Sequence, residues 1–137
     1  MRYLLDTNVV SELRKQRKDP GVAGWIRDRA ATDLAISVVT VLEIEIGILR
    51  IARKDRAQAD RLTDWFQRRL LTGFADRVLP IDLPAARRVA PLHVPDPASQ
   101  HDALIAGTAL ARGLTVVTRN VADFDRTGVA VINPWSG

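Results

Sequence analysis

Short apolar runs alternate along this chain with longer segments of helical periodicity. The runs are typical of strands and cover residues 2–5, 34–38, 78–81, 114–118 and 129–132. Between them, apolar residues recur every three or four positions, which indicates amphipathic helices. Strands that alternate with helices predict a parallel sheet with helices on both faces. No repeat or linker interrupts the pattern, so we expect one α/β domain over residues 1–137.

The helix predicted after the second strand has an unusual apolar pattern. Thr40 and Glu43 have the spacing of a capping box, which predicts a helix from Thr40 to about residue 52. A surface helix needs only one apolar stripe, and we expect the second stripe of this helix to contact another helix or another subunit. The first stripe consists of Val41, Ile44, Ile48 and Ile51, and the second of Leu42, Ile46 and Leu49.

Polar residues mark the starts of other helices. Thr7 or Asn8 is predicted to cap a helix that follows the first strand. His101 or Asp102 is predicted to begin a helix that ends at Gly113. A long amphipathic helix is predicted over residues 56–71, with apolar positions at Leu62, Trp65, Phe66 and Leu70.

The composition adds predictions about location and partners. With 47% hydrophobic and 26% charged residues, the chain has the make-up of an ordinary soluble globule. It has no cysteine and no apolar window of transmembrane length, and an acid at position 6 interrupts any signal-peptide pattern. We therefore expect a soluble, cytoplasmic protein that does not bind membranes. Three of the 20 basic residues are lysine, so 17 are arginine, and the net charge of +4 favours a polyanionic partner.

Four acidic residues fall at the carboxyl ends of the predicted strands. Asp6 ends the first strand, and Glu43 lies in the first turn of the helix after the second strand. Asp102 opens the helix before the fourth strand, and Asp123 lies in the loop after it. Open parallel sheets bind ligands at this edge, so the four carboxylates are predicted to converge. Converging carboxylates repel one another unless a cation neutralises them, and oxygen-only ligation suits Mg²⁺ or Mn²⁺.

Each of these acids also has a purely structural interpretation. Asp6 would cap the following helix, and Glu43 would complete the capping box. Asp102 would interact with the helix dipole, and Asp123 would stabilise a turn. Their joint placement at one edge favours the functional interpretation. One or two such ions can generate hydroxide from water and stabilise the leaving oxygen of a phosphodiester.

Four segments carry a resemblance to a known family. In order and spacing they resemble PIN-domain nucleases, and in particular VapC-type toxins of toxin–antitoxin pairs. Within that family the chain is most similar to the subgroup of the FitB toxins, which share the Asp-Thr-Asn and Thr-Arg-Asn signatures. The segments are residues 4–8 (LLDTN), residues 40–43 (TVLE) leading to Gly47, residues 102–106 (DALIA) and residues 118–124 (TRNVADF).

The resemblance implies a fold, an activity and partners. The implied fold is a five-stranded parallel sheet of order 3-2-1-4-5, and the implied assembly is a homodimer. The implied activity is Mg²⁺-dependent endonucleolytic cleavage of RNA, with Mn²⁺ as a substitute, and the implied partner is a small DNA-binding antitoxin of the VapB type. Asp6 and Asp102 are implied as the chief metal ligands, with Glu43 and Asp123 completing the pocket. Supporting positions are implied at Thr7, Asn8, Thr118 and Asn120.

Three alternatives share parts of this pattern. A phosphotransferase of the haloacid dehalogenase type is rejected, because it needs a second aspartate where this chain has Asn8 and a lysine in a later motif, whereas all three lysines lie in polar loops. A dinucleotide-binding domain is excluded, because no Gly-x-Gly-x-x-Gly follows the first strand. A mainly non-catalytic role, as the dimeric partner of a DNA-binding antitoxin in transcriptional autoregulation, stays compatible with the same fold.

Other candidate residues are first given structural roles. His101 is expected at the protein surface rather than as a base, and the basic run 14–18 is either a solvated turn or an RNA contact. Trp65 and Phe66 are expected in the core or an interface rather than stacked on bases. Gly107 is expected to allow close packing of its helix on the sheet.

Overall fold

One sheet of parallel strands organises the chain. The structure, a computed structural model, describes residues 1–136, so Gly137 of the expected domain lies outside the described residues. The strand order β3-β2-β1-β4-β5 confirms the expected topology. The strands are β1 (Tyr3–Leu5), β2 (Leu34–Ser37), β3 (Val78–Leu79), β4 (Thr115–Val117) and β5 (Val131–Ile132).

Helices make the connections between these strands. Within residues 1–136, no helix has the length and apolar character needed to cross a membrane. The helices are α1 (Thr7–Leu13), α2 (Pro20–Arg27), α3 (Val38–Ala52), α4 (Arg56–Trp65), α5 (Leu71–Gly73), α6 (Leu83–Val89) and α7 (Gln100–Arg112). A π-helical turn (Phe66–Leu70) joins α4 to α5, and 3₁₀ turns cover Ala31–Asp33, Ala90–His93 and Val121–Phe124.

The core consists of two apolar layers, one on each face of the sheet. Successive side chains of a strand point to opposite faces, so neighbouring positions of β1 belong to different layers. Leu5 pairs in register with Ile36 and Val117, and all three lie in one buried cluster. Leu4 and its paired neighbours lie in the other cluster, which includes the helix α7. Burial on both faces explains why the strands have continuous apolar runs.

Three helices begin at residues other than the predicted ones, and α7 begins at Gln100, after Ser99 at the cap position, rather than at His101 or Asp102. Asp6 itself caps α1 and accepts a hydrogen bond from the Thr7 amide, so neither Thr7 nor Asn8 is the cap. Ser37 caps α3 through the Val39 amide, so the helix begins before Thr40 and the predicted capping box is wrong. The earlier hydroxyl of Ser37 satisfies one of the free amides at the helix start, and Glu43 is left for another role.

Helix α3 has the two apolar stripes that the sequence predicts. The stripe with Ile44 and Ile48 packs against the core on one face of the sheet. The other stripe is exposed, since Leu42 and Leu49 keep 51% and 64% of their surface accessible. Trp65 of α4 lies beside Ile44 and Ile48 of α3. Because these two residues belong to the buried stripe, Trp65 contacts the side of α3 that is opposite the exposed stripe.

Gly107 allows a close contact between two helices rather than between a helix and the sheet. A side chain at this position of α7 would clash with the Val89 side chain and would lie 3.1 Å from the Ala85 carbonyl oxygen, both in α6. The prediction of a close approach is therefore confirmed, but its partner is α6.

Candidate active site

Asp6 stands at the carboxyl end of the central strand and is almost completely buried. Only 6% of its surface is accessible. One carboxylate oxygen accepts hydrogen bonds from the Thr118 hydroxyl at 2.7 Å and from the Asn8 amide group at 3.4 Å, and the other binds the Thr7 backbone amide at 2.8 Å. A carboxylate costs free energy to bury, and these three donors offset part of that cost.

Thr118 orders the surroundings of Asp6. Its buried hydroxyl donates to Asp6 and accepts from the Asn8 side-chain amide at 3.1 Å and from the Asn120 backbone amide at 3.0 Å. The Asn8 side-chain oxygen in turn accepts from the Arg119 backbone amide at 3.3 Å. The network ties the ends of β1 and β4 together and fixes the orientation of the Asp6 carboxylate.

Glu43 faces the same site from the second turn of α3. Its Oε1 accepts a hydrogen bond of 3.0 Å from the Thr7 hydroxyl, and that hydroxyl also shares a 3.0 Å hydrogen bond with the buried Thr40 hydroxyl. The His101 Nδ1 lies 3.5 Å from Glu43 Oε2. Glu43 therefore contacts α1 and α7 instead of capping its own helix.

Asp102 and Asp123 complete an acidic cluster around Asp6. Asp102 lies in the first turn of α7, and Asp123 lies in the 3₁₀ turn after β4. Burial raises the pKa of Asp6, and the charges of Glu43 and Asp123 raise it further, against the lowering effect of hydrogen bonds from Thr118 and Thr7.

Burial also raises the pKa of Asp102. A hydrogen bond from Ser99 lowers that pKa, the charges of Asp123 and Asp6 raise it, and His101 lowers it. The charge of Asp123 acts on both Asp6 and Asp102, and the charge of Asp6 acts on Asp102, so the three carboxylates lie in one neighbourhood.

The donor set of this cluster suits a hard cation. Every nearby carboxylate offers oxygen, and two of the carboxylates are held in surroundings that disfavour their negative charge. Among residues 1–136, no three acidic or histidine side chains come together as a ready-made set of ligands. Mg²⁺ commonly takes only one or two protein carboxylates and keeps several waters, so a pair such as Asp6 and Asp102 fits its chemistry.

The supporting positions differ in how closely they approach the cluster. Thr7, Asn8 and Thr118 all bond to its carboxylates. Asn120 contributes its backbone amide to Thr118, and its side chain is exposed.

Sequence reasoning missed two contributors to the site. Thr40 and Ser99 were missed, although Thr40 stands three residues before Glu43 and thus on the same helical face. His101 lies exposed at the start of α7, as expected, with its Nδ1 3.5 Å from Glu43 Oε2.

Two depressions flank the cluster. One, of about 180 Å³, is lined by Thr7 and Glu43 together with apolar side chains of α3 and α4. The other, of about 380 Å³, is lined by Asp102 and Asp123 together with the loop that precedes α7. The carboxylates are therefore reachable from solvent on both sides, as a site for a polymeric substrate requires.

The chain is similar to known proteins over almost its whole length. The family model described as PIN domain matches residues 3–130. The VapC ribonuclease Y4jK of Sinorhizobium fredii is 38% identical, and the match covers 96% of this chain and 96% of that protein. Toxin FitB of Neisseria gonorrhoeae is 35% identical, and the match covers 96% of this chain and 97% of that protein.

Solved structures repeat the likeness in three dimensions. The crystal structure of FitAcB from Neisseria gonorrhoeae superposes with a TM-score of 0.89 at 31% identity, covering 98% of this chain and 99% of that chain. A structure described as FitAB bound to an IR36 DNA fragment gives a TM-score of 0.87 at 31% identity, covering 98% of this chain and 96% of that chain.

Proposed function

The chain belongs to the PIN-domain family, and from that membership we propose that it is a metal-dependent endoribonuclease that acts as the toxin of a toxin–antitoxin pair. The observation that carries the proposal is the acidic neighbourhood at the carboxyl edge of the sheet, where the charges of Glu43 and Asp123 act on Asp6 and the charges of Asp123 and Asp6 act on Asp102. Relatives that match almost the whole chain are named ribonuclease and toxin, which supports RNA as the substrate.

In the proposed reaction, water hydrolyses an RNA phosphodiester. Asp6 and Asp102 would hold Mg²⁺, which when bound supplies the Lewis acidity that activates water and neutralises charge on the phosphate. Glu43 and Asp123 orient the water, whose oxygen bonds to phosphorus while the bond to the leaving ribose oxygen breaks. A proton passes from the attacking water to one of these carboxylates, and the leaving ribose oxygen takes up a proton from solvent water.

The polar neighbours of the cluster act by positioning. Thr118 and Asn8 hold the Asp6 carboxylate in one orientation through hydrogen bonds of 2.7 and 3.4 Å. Thr7 holds Glu43 in the same way. Fixed carboxylates need no reorganisation when the substrate binds, which is the main way that a polar site lowers a barrier.

The proposed partner is a small antitoxin that also binds DNA, and the proposed place of action is the cytoplasm. Several structures with the same fold are described as toxin–antitoxin complexes, and some of them as bound to DNA. A role in autoregulation together with a DNA-binding antitoxin is therefore a second proposed function, and it is compatible with the first. In the proposed inhibition, a basic side chain of the antitoxin enters the acidic cluster and displaces the cation.

Growth in bacterial cells tests the toxin role. Expression of the chain without an antitoxin should arrest growth, and sequencing of RNA ends should show new cleavage sites. Asp6→Asn and Asp102→Asn should relieve the arrest while the variants remain soluble, because each weakens the proposed cation site. Full toxicity of both soluble variants would show that this cluster is not the source of the effect.

A further inference from the structure

A groove runs from Glu43 across the surface between α1 and α4. Three adjoining depressions form it, and all three share Arg14 and Trp65 in their linings. The innermost, of about 180 Å³, reaches Thr7 and Glu43 of the acidic cluster. The outer two have volumes of about 370 and 360 Å³ and open away from the cluster. We call the whole feature the Arg14–Trp65 groove.

The outer part of the groove is strongly positive. Its lining contains five basic side chains and no acidic one. Only one of these cations, Lys15, has an acidic partner within 4 Å among residues 1–136, namely Glu12 at 2.9 Å. Cations without partners keep their full attraction for an external anion. The five basic side chains are Arg14, Lys15, Lys18, Arg61 and Arg69.

The inner part of the groove is apolar. Ile44, Ile48 and Leu62 form its walls, and the half-buried indole of Trp65 stands where the apolar and basic parts meet. Arg61 and Trp65 are four residues apart on α4, so they lie on one face. The π-helical turn (Phe66–Leu70) then buries Phe66 and Leu70 and leaves Arg69 exposed beside Trp65. Such turns are frequent at functional sites.

We propose that the Arg14–Trp65 groove binds the single-stranded RNA segment that leads into the acidic cluster. The proposal rests on the proposed ribonuclease function and assigns its substrate path. The outer cations contact phosphates, Trp65 stacks on a base, and the apolar inner walls receive the next nucleotide beside Glu43. Cationic side chains around an accessible aromatic face are the combination that binds single-stranded nucleic acids, and the half-buried Trp65 offers part of its ring in this way.

Salt dependence of RNA binding tests the phosphate contacts. The probe is a fluorescein-labelled single-stranded RNA of mixed sequence, followed by anisotropy in EDTA so that it stays intact. The double variant Arg61→Ala/Arg69→Ala should make the slope of log affinity against log salt less steep by about 1.4, or about 0.7 for each lost phosphate contact. This change corresponds to about a twentyfold loss of RNA affinity at 0.1 M salt. The matched control is Arg87→Ala/Arg88→Ala, which removes two exposed arginines from α6 and should leave the slope unchanged.

Substitution of Trp65 tests the stacking contact. Trp65→Leu keeps an apolar side chain against the core and should weaken RNA binding about tenfold, whereas Trp65→Phe keeps a ring and should retain most of the affinity. Melting curves must show that both variants are folded, because Trp65 packs against the buried cluster. Equal affinity of the folded Leu, Phe and wild-type proteins would overturn the stacking contact.

The outcomes separate this proposal from the proposed function. If the wild type cleaves RNA but the groove variant Arg61→Ala/Arg69→Ala and the control Arg87→Ala/Arg88→Ala change RNA binding equally, the groove proposal is wrong. The ribonuclease proposal then stands. If the groove variant binds RNA normally but no longer forms a complex with a co-expressed antitoxin, the groove serves a protein partner and the proposal is wrong. Because binding is measured in EDTA, absence of cleavage would contradict only the ribonuclease function.

Discussion

The acidic cluster is arranged at a cost to the stability of the metal-free protein. Asp6 and Asp102 both have raised pKa values, from burial first and from neighbouring carboxylates in addition. A raised carboxyl pKa means that the folded state holds protons which the unfolded state has released. The resulting stability is fully present below the ordinary pKa of about 4 and is lost as pH rises through the raised pKa.

Asp102→Asn should therefore stabilise the metal-free protein. The substitution removes a charge that faces Asp6 and Asp123 but keeps a polar group of the same shape. Because this carboxylate is partly exposed, solvent screens the repulsion, and the gain should be about 1 kcal/mol or less. Thermal melting in EDTA at neutral pH measures it. Saturating Mg²⁺ should raise the melting temperature of the wild type more than that of the variant.

Asp82→Asn is the matched control for that experiment. Asp82 is also a helix-start carboxylate, but it caps α6 through the Ala85 amide and pairs with Arg112 at 3.1 Å, outside the cluster. Its substitution should leave stability unchanged or slightly lower at neutral pH. An Asp102→Asn variant that melts below wild type, with no response of either protein to Mg²⁺, would indicate that Asp102 serves only its helix.

The sequence predicted the four acids of the cluster but assigned the wrong caps to the helices beside them. Strand ends of a parallel sheet share an edge, so the placement of Asp6 followed from the apolar pattern alone. The role of Glu43 did not, because either Ser37 or Thr40 could have provided the helix cap and only the fold determined which did. Its contact with Thr7, 36 residues away, depends on the packing of α1 on α3, which no local pattern contains.

At the level of elements, two glycines in helices should respond oppositely to alanine. Gly107→Ala forces a methyl group against Val89 and the Ala85 carbonyl in α6. This variant should therefore lose roughly 1–3 kcal/mol in free energy of unfolding. The methyl group added by Gly47→Ala in α3 has nothing within 4 Å. This variant should gain about 0.5–1 kcal/mol in free energy of unfolding, because alanine is favoured over glycine in a helix interior. Denaturant unfolding of both variants measures the two signs. A stable Gly107→Ala would mean that α6 and α7 separate easily.

The sequence determined the kinds of elements better than their ends and contacts. All strands were predicted within two residues of their bounds, because apolar runs buried on both faces are unambiguous. The close approach of Gly107 was predicted with the wrong partner, since the same small residue serves a helix or a sheet equally well. The sequence showed that α3 has a second apolar stripe. It did not show whether another helix or another subunit would cover that stripe.

At the level of the whole molecule, that exposed stripe should form a two-fold interface. Leu42 and Leu49 are exposed on one face of α3, and a symmetric pair of such faces would bury both copies. Light scattering should give the wild-type protein a molar mass of about twice the 15.1 kDa of one chain. Leu49→Glu should reduce the measured mass to that of the monomer. The control is Leu83→Glu, since Leu83 is 72% exposed on α6, away from the stripe. A wild-type monomer at micromolar concentration would contradict the homodimer.

Cleavage of a labelled single-stranded RNA by the purified protein tests the central claim most directly. The rate is compared in Mg²⁺ and in EDTA for wild type, Asp6→Asn and the helix-cap control Asp82→Asn. Wild type and control should cleave in Mg²⁺ and stop in EDTA, and Asp6→Asn should be slower by about a hundredfold or more. Cleavage by Asp6→Asn at the wild-type rate, or a wild-type rate that EDTA leaves unchanged, would contradict the central claim.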